Sequence, residues 1–175
     1  MAMQDYYVEA VDALYDAIVA EDKLNPDKTD AERYINKVYK SDWIPAAGLP
    51  TLHCFIPSKP IEEHRGIGYG PFNTMNGRVT LRCEVTGEWT SKLLSDMGLT
   101  SIDSNDDLWR VMYYITNTIE EVLRREVNYR LSGFGANDVM IVRPNGTYFN
   151  SSLLGNRTLA VASVNVMFQQ RVLQV

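Results

Sequence analysis

Apolar residues follow two periods along this chain. Residues 4–21 place Tyr7, Val8, Val11, Leu14, Tyr15, Ile18 and Val19 on one stripe, opposite Asp5, Glu9, Asp12 and Asp16. That spacing predicts an amphipathic helix whose early acids suit the positive end of its dipole. Asn25-Pro26 breaks it. Thr29 with Glu32 three positions on reads as a capping box, and Ala31, Tyr34, Ile35, Val38 and Tyr39 continue at helical spacing to about Lys40. The expectation is a second helix, and with it an N-terminal helical hairpin.

Period two takes over at Leu52, Cys54 and Ile56, a short strand closed by Pro57. The clearest strand is 78–86, where Val79, Leu81, Cys83 and Val85 alternate with Arg78, Thr80, Arg82 and Glu84. A helical turn is expected over 90–97, stopped by Gly98. Ser104 then caps the strongest helix, striped by Leu108, Val111, Met112, Ile115, Ile119, Val122 and Leu123 and expected to run to a C-cap near Gly133. Glu120–Arg124 and Glu121–Arg125 are its expected ion pairs. Residues 138–143 (DVMIVR) read as a strand, Pro144-Asn145-Gly146 as a hairpin turn, and Thr147-Tyr148-Phe149 as the return. A last strand runs from about Thr158 to Val172. It buries Ala160, Ala162, Val164, Val166 and Phe168, and at this length it overhangs a small sheet. The fold class expected is α+β in a single domain, 1–175. A mainly antiparallel sheet of about four to five strands is packed by the long amphipathic helix.

Residues 57–77, PSKPIEEHRGIGYGPFNTMNG, fit neither period. Three prolines and four glycines accompany several large apolar residues. The segment reads as an extended arm or loop that orders against a neighbouring surface.

Composition narrows the function. The chain has 175 residues, 45% apolar and 22% charged, enough for one real core. Its net charge of −5 argues against non-specific binding to a nucleic-acid backbone. No apolar run approaches membrane-spanning length, and the acidic N-terminus lacks the pattern of a signal peptide, so synthesis in a cytoplasm is expected. Cys54 and Cys83 then read as reduced core thiols, and the sequons at Asn145, Asn150 and Asn156 as accidents of composition.

Candidate chemistry is sparse. Gly66-Ile67-Gly68-Tyr69-Gly70 lacks the Lys-Ser/Thr of a phosphate loop, and Pro71 follows at once. His53 and His64 lack zinc spacing. Asp103 to Asp107 fits a helix cap better than a calcium loop. Cys54 beside His53 points to the opposite strand face. No catalytic residue, cofactor or metal is expected. An acid/base reading around Glu62, Glu63, His64 and Arg65 is the weakest of the alternatives. Arg124, Arg125 and Arg130 suit the negative end of the long helix.

The stretches DLWRVMYYITNTIEEVL, GANDVMIVRPNGTYF and RTLAVASVNVMFQQRVLQV, in this order of helix and strands, resemble small phage proteins of the tail-terminator and head–tail joining (neck) family. The resemblance covers about 60% of the chain as a pattern of elements; such families carry no diagnostic catalytic motif. It implies a virion structural protein, made in the host cytoplasm, that forms a homo-oligomeric ring on a tail tube or connector. DNA would pass through that ring without specific binding, and no membrane is involved. On this reading the interface candidates are Ile61, Arg65, Ile67, Tyr69, Phe72 and Met75 of the arm with Gln169 and Arg171 of the last strand. The competing reading is a small-molecule binding or regulatory domain with the glycine-containing loop over a pocket.

Overall fold

The computed structural model describes residues 6–43, 48–58, 64–65, 71–125, 139–154 and 157–171. The fold is α+β. Helix α1 spans Tyr6–Val19, α2 Ser91–Met97 and α3 Asn105–Arg124; the strands are β1 Lys37–Tyr39, β2 Thr51–Ser58, β3 His64–Arg65, β4 Pro71–Cys83, β5 Val139–Leu154 and β6 Arg157–Arg171. The sheet order is β1-β2-β4-β6-β5, with β3 paired to the start of β4. Among the described residues only the β1–β2 pairing is parallel.

Both strong apolar patterns meet in one core. Val79, Leu81 and Cys83 of β4 and Ala160, Ala162, Val164, Val166 and Phe168 of β6 are buried beneath Val111, Ile115 and Ile119 of α3. Val79 lies opposite Val164, and Leu81 opposite Ala162. Helix and sheet therefore bury the faces that their periods select. Gly77 completes this layer: a Cβ there would sit 2.1 Å from the Phe168 ring, so the ring occupies the space a side chain would need.

Ser104 caps α3 by accepting from the Asp107 amide, and Thr90 caps α2 by accepting from Leu93. Gly98 closes α2 in the left-handed conformation, φ +66°. Helix α3 ends at Arg124, short of Gly133, which lies outside the described residues. At 20 residues it spans about 30 Å. The Glu120–Arg124 pair forms at 3.0 Å, but Arg125 turns to Glu21 at 2.7 Å. Glu121 accepts from Asn117 instead.

The N-terminal helical hairpin is not found. Helix α1 forms, with its buried stripe shifted onto Ala10, Ala13, Leu14, Ala17 and Ile18, while Val8 is 53% exposed. Thr29 donates to the Glu32 carboxylate through its amide at 3.1 Å and its hydroxyl at 2.6 Å, but the Glu32 amide donates to the Thr29 carbonyl rather than to its hydroxyl, and only one turn follows. Groups distant in sequence then take over the backbone: Thr90 donates to the Arg33 carbonyl, and the Asn36 amide donates to Pro50. The Asn36 side chain bridges to Leu49 and Glu88. Residues 37–39 join the sheet as β1. Tertiary partners override local helical spacing here.

Pro144-Asn145-Gly146 is no hairpin turn either. It lies inside β5, at register shifts between Ile141 and Arg143 and between Pro144 and Gly146, where Gly146 takes φ +147°. These are bulges, and proline is tolerated because β5 is an edge strand. Pairing with β6 resumes from Gly146 to Leu154, which faces Arg157. A long ladder outweighs one strong turn signal.

The supposed arm is partly sheet. Pro57 and Ser58 end β2, His64 and Arg65 pair with Phe72 and Pro71, and 71–77 belong to β4. Met75 is fully buried in the core, so it is not an interface residue. Its position opposite Phe168 explains why an apolar side chain stands there.

Candidate interface and the open face of the sheet

The interface candidates divide into three groups. Ile61, Ile67 and Tyr69 lie outside the described residues. Met75 is core. Arg65, Phe72, Gln169 and Arg171 gather at one end of the sheet: Arg65 pairs with Pro71, Phe72 with Arg171, and Gln169 with Thr74.

A surface that sequence reasoning missed lies along β5. This 16-residue strand ends the sheet order, and Arg143 is its only charged residue. Its outer side has no strand partner among the described residues. Phe149 is 40% exposed and packs edge-on to Tyr113 of α3, with ring centroids 4.9 Å apart. Trp109 joins both rings, 6.1 Å from Tyr113 and 6.3 Å from Phe149. Tyr148, on the other sheet face, is also exposed. Thr147 donates to Glu120 of α3 at 2.6 Å, tying the strand to the helix at this point. The signal was present in α3: Trp109 and Tyr113 stand four apart, beside the buried stripe rather than within it.

At the opposite side, β1 covers β2 only from Thr51 to His53. Beyond it, Val8, Val11, Phe55 and Ile56 line a hollow of about 320 Å³ whose rim holds Asp12 and Lys40, joined at 2.7 Å.

The sheet face away from the helices is mixed in character. One row across it reads His53–Thr80–Ser163–Tyr148, the next Thr51–Arg82–Val161–Asn150, and a third Phe55–Arg78–Asn165–Gly146. Toward β2 it is buried. His53 and Thr51 are inaccessible, and Arg82 pairs with Asp42 at 2.5 Å. His53 Nδ1 lies 2.9 Å from the Ser41 carbonyl, which can only accept, so Nδ1 carries the proton. Nε2 then accepts from Thr51 Oγ1 at 3.1 Å. Burial holds the imidazole pKa down at about 4, with Arg82 adding to the effect, so His53 is neutral near pH 7. Both its nitrogens are engaged and the Tyr39 ring stacks on it at 5.1 Å, which makes it a structural histidine. Burial also raises both thiols, Cys54 to about 12, so neither is an activated nucleophile.

Toward β5 the same face opens. Arg78, Tyr148, Asn150, Ser151, Val161, Ser163 and Asn165 line a groove of about 520 Å³.

No helix among the described residues is long and apolar enough to cross a membrane. Compared with models of protein families and with curated proteins, the chain matches none of either.

Proposed function

We propose that this chain is a structural subunit that assembles into a homo-oligomeric ring, as a virion protein of the tail-terminator or neck type. One observation carries the reading: a long, nearly uncharged edge strand, β5, flanked by the exposed rings of Tyr113, Tyr148 and Phe149. Edge strands that avoid self-association carry charges, prolines at the rim or a cover; β5 has one arginine and one bulged proline along 16 residues. Aromatic side chains exposed together gain most when a partner covers them. The second open side, β2 beyond His53 with its apolar hollow, supplies a different surface on the same molecule. Two unlike surfaces on opposite sides of a subunit give head-to-tail contacts, which close into a ring when the rotation allows.

The test is solution mass by light scattering and native mass spectrometry, on the wild type and on a Tyr113→Ser/Phe149→Ser variant. The reading requires a closed oligomer of the wild type, alone or on addition of its tail tube, and a folded monomer of the variant. A wild type that stays monomeric in both conditions sinks it, as does a variant that assembles normally.

A further inference from the structure

The geometry points to a second site: the groove on the open sheet face binds a small polar anion, a carboxylate or phosphate, with Arg78 as its charge partner. Hydrogen-bonding capacity in the groove is weighted towards donors. Arg78 Nε donates to Asn165 Oδ1 at 2.9 Å. That bond fixes the guanidinium and leaves its terminal nitrogens as donors. It also occupies the Asn165 oxygen, so the amide presents its NH₂. Asn150 repeats the pattern: its Oδ1 accepts from the Ser151 amide at 2.8 Å, which leaves Nδ2. Ser163 and Thr80 share one hydrogen between hydroxyls 3.3 Å apart, so one O–H remains to donate. Tyr148 adds a phenol at the rim.

The groove therefore offers donors from a guanidinium, two amides and hydroxyls. No carboxylate lines it among the described residues. On a chain of net charge −5, that is a local reversal of sign. A planar guanidinium pre-oriented by one bond matches a carboxylate or phosphate edge with two parallel bonds. Arg82, four residues along the strand, donates to Asp42 through Nη2 and is not among the described residues that line the groove. The Phe55 ring, 5.9 Å from the Arg78 guanidinium carbon, supports its other side. The volume of about 520 Å³ fits a metabolite-sized ion.

The probes are inorganic phosphate and citrate, titrated calorimetrically into the full-length chain at constant ionic strength set with chloride. At least one should bind saturably and raise the melting temperature beyond a chloride control. Arg78→Gln should weaken that binding at least tenfold, and Arg78→Lys should restore part of it. Ser163→Phe, which fills the groove without touching the charge, should abolish it and decides the matter if Arg78→Gln does not fold. Absence of saturable binding by both anions overturns the proposal. So does binding that survives unchanged in Arg78→Gln or in Ser163→Phe.

Discussion

Alternate residues of β4 and β6 lead opposite lives. On the helix side Val79, Leu81, Val164 and Val166 are inaccessible and apolar. On the other side, Arg78, Thr80, Ser163 and Asn165 form polar rows, buried toward β2 and open toward β5. A one-residue slip in register would exchange the two sets, so the fold is pinned by the contrast between them. Burial on the helix face thus follows the chemistry of the side chains and the apolar stripe of α3 that meets them. Burial on the other face depends on which distant segment crosses it.

The costliest substitution strikes the covered face. Val166→Asp places an unpaired charge in the core and should cost several kcal/mol, enough to abolish soluble expression. Val161→Asp, on the same strand but the other face, should cost less than about 1 kcal/mol by chemical denaturation. Equal behaviour of the two would refute the assignment of faces.

The buried half of the open face is tested by pH. His53 has a folded pKa of about 4 against an ordinary 6.5, so the unfolded chain binds the extra proton between those values. Stability should be full above about pH 6.5. It should fall by up to roughly 1.4 kcal/mol per unit as pH drops toward 4. His53→Gln should flatten that slope, measured by urea unfolding across the window. A slope equal to wild type would mean that His53 is solvated in the folded state.

Gly77→Ala probes the packing of the covered face. Its methyl group meets the Phe168 ring and should cost about 1–3 kcal/mol. Phe168→Leu in the same chain should relieve part of that cost, so the double-mutant cycle should show coupling. Strict additivity would place the ring elsewhere.

The smallest effect belongs to the thiols. Cys54→Ala/Cys83→Ala should lose on the order of 1 kcal/mol per site through packing and leave assembly unchanged. Loss of assembly with the fold intact would give the cysteines a role beyond filling the core.

The covered face was readable because period two in β4 and β6 and period 3.6 in α3 agree on the same residues. Local signals failed where long-range partners decide. The helical spacing of 29–39 lost to a hydrogen bond from Thr90 and to those that Asn36 donates to the Pro50 and Leu49 carbonyls. Asn145-Gly146 is a strong turn signal that yielded to continuous pairing with β6. Pro71 to Gly77 lack a clean alternation because Gly77 makes room for a ring that comes from Phe168, far along the chain. The aromatic patch and the groove need the α3–β5 and β4–β6–β5 neighbourhoods, which no single window of sequence contains.

Strand order also sets a timetable. β6 lies between β4 and β5 in space, yet it follows the other described strands in the chain. During synthesis β4 emerges early and must wait, its inner edge bare, while α3 and β5 are made. Only the final strand closes the sheet, by pairing that spans residues 72 to 171. Such distant pairing makes for slow folding. Until it forms, the nascent chain offers an open edge to its neighbours on the same messenger.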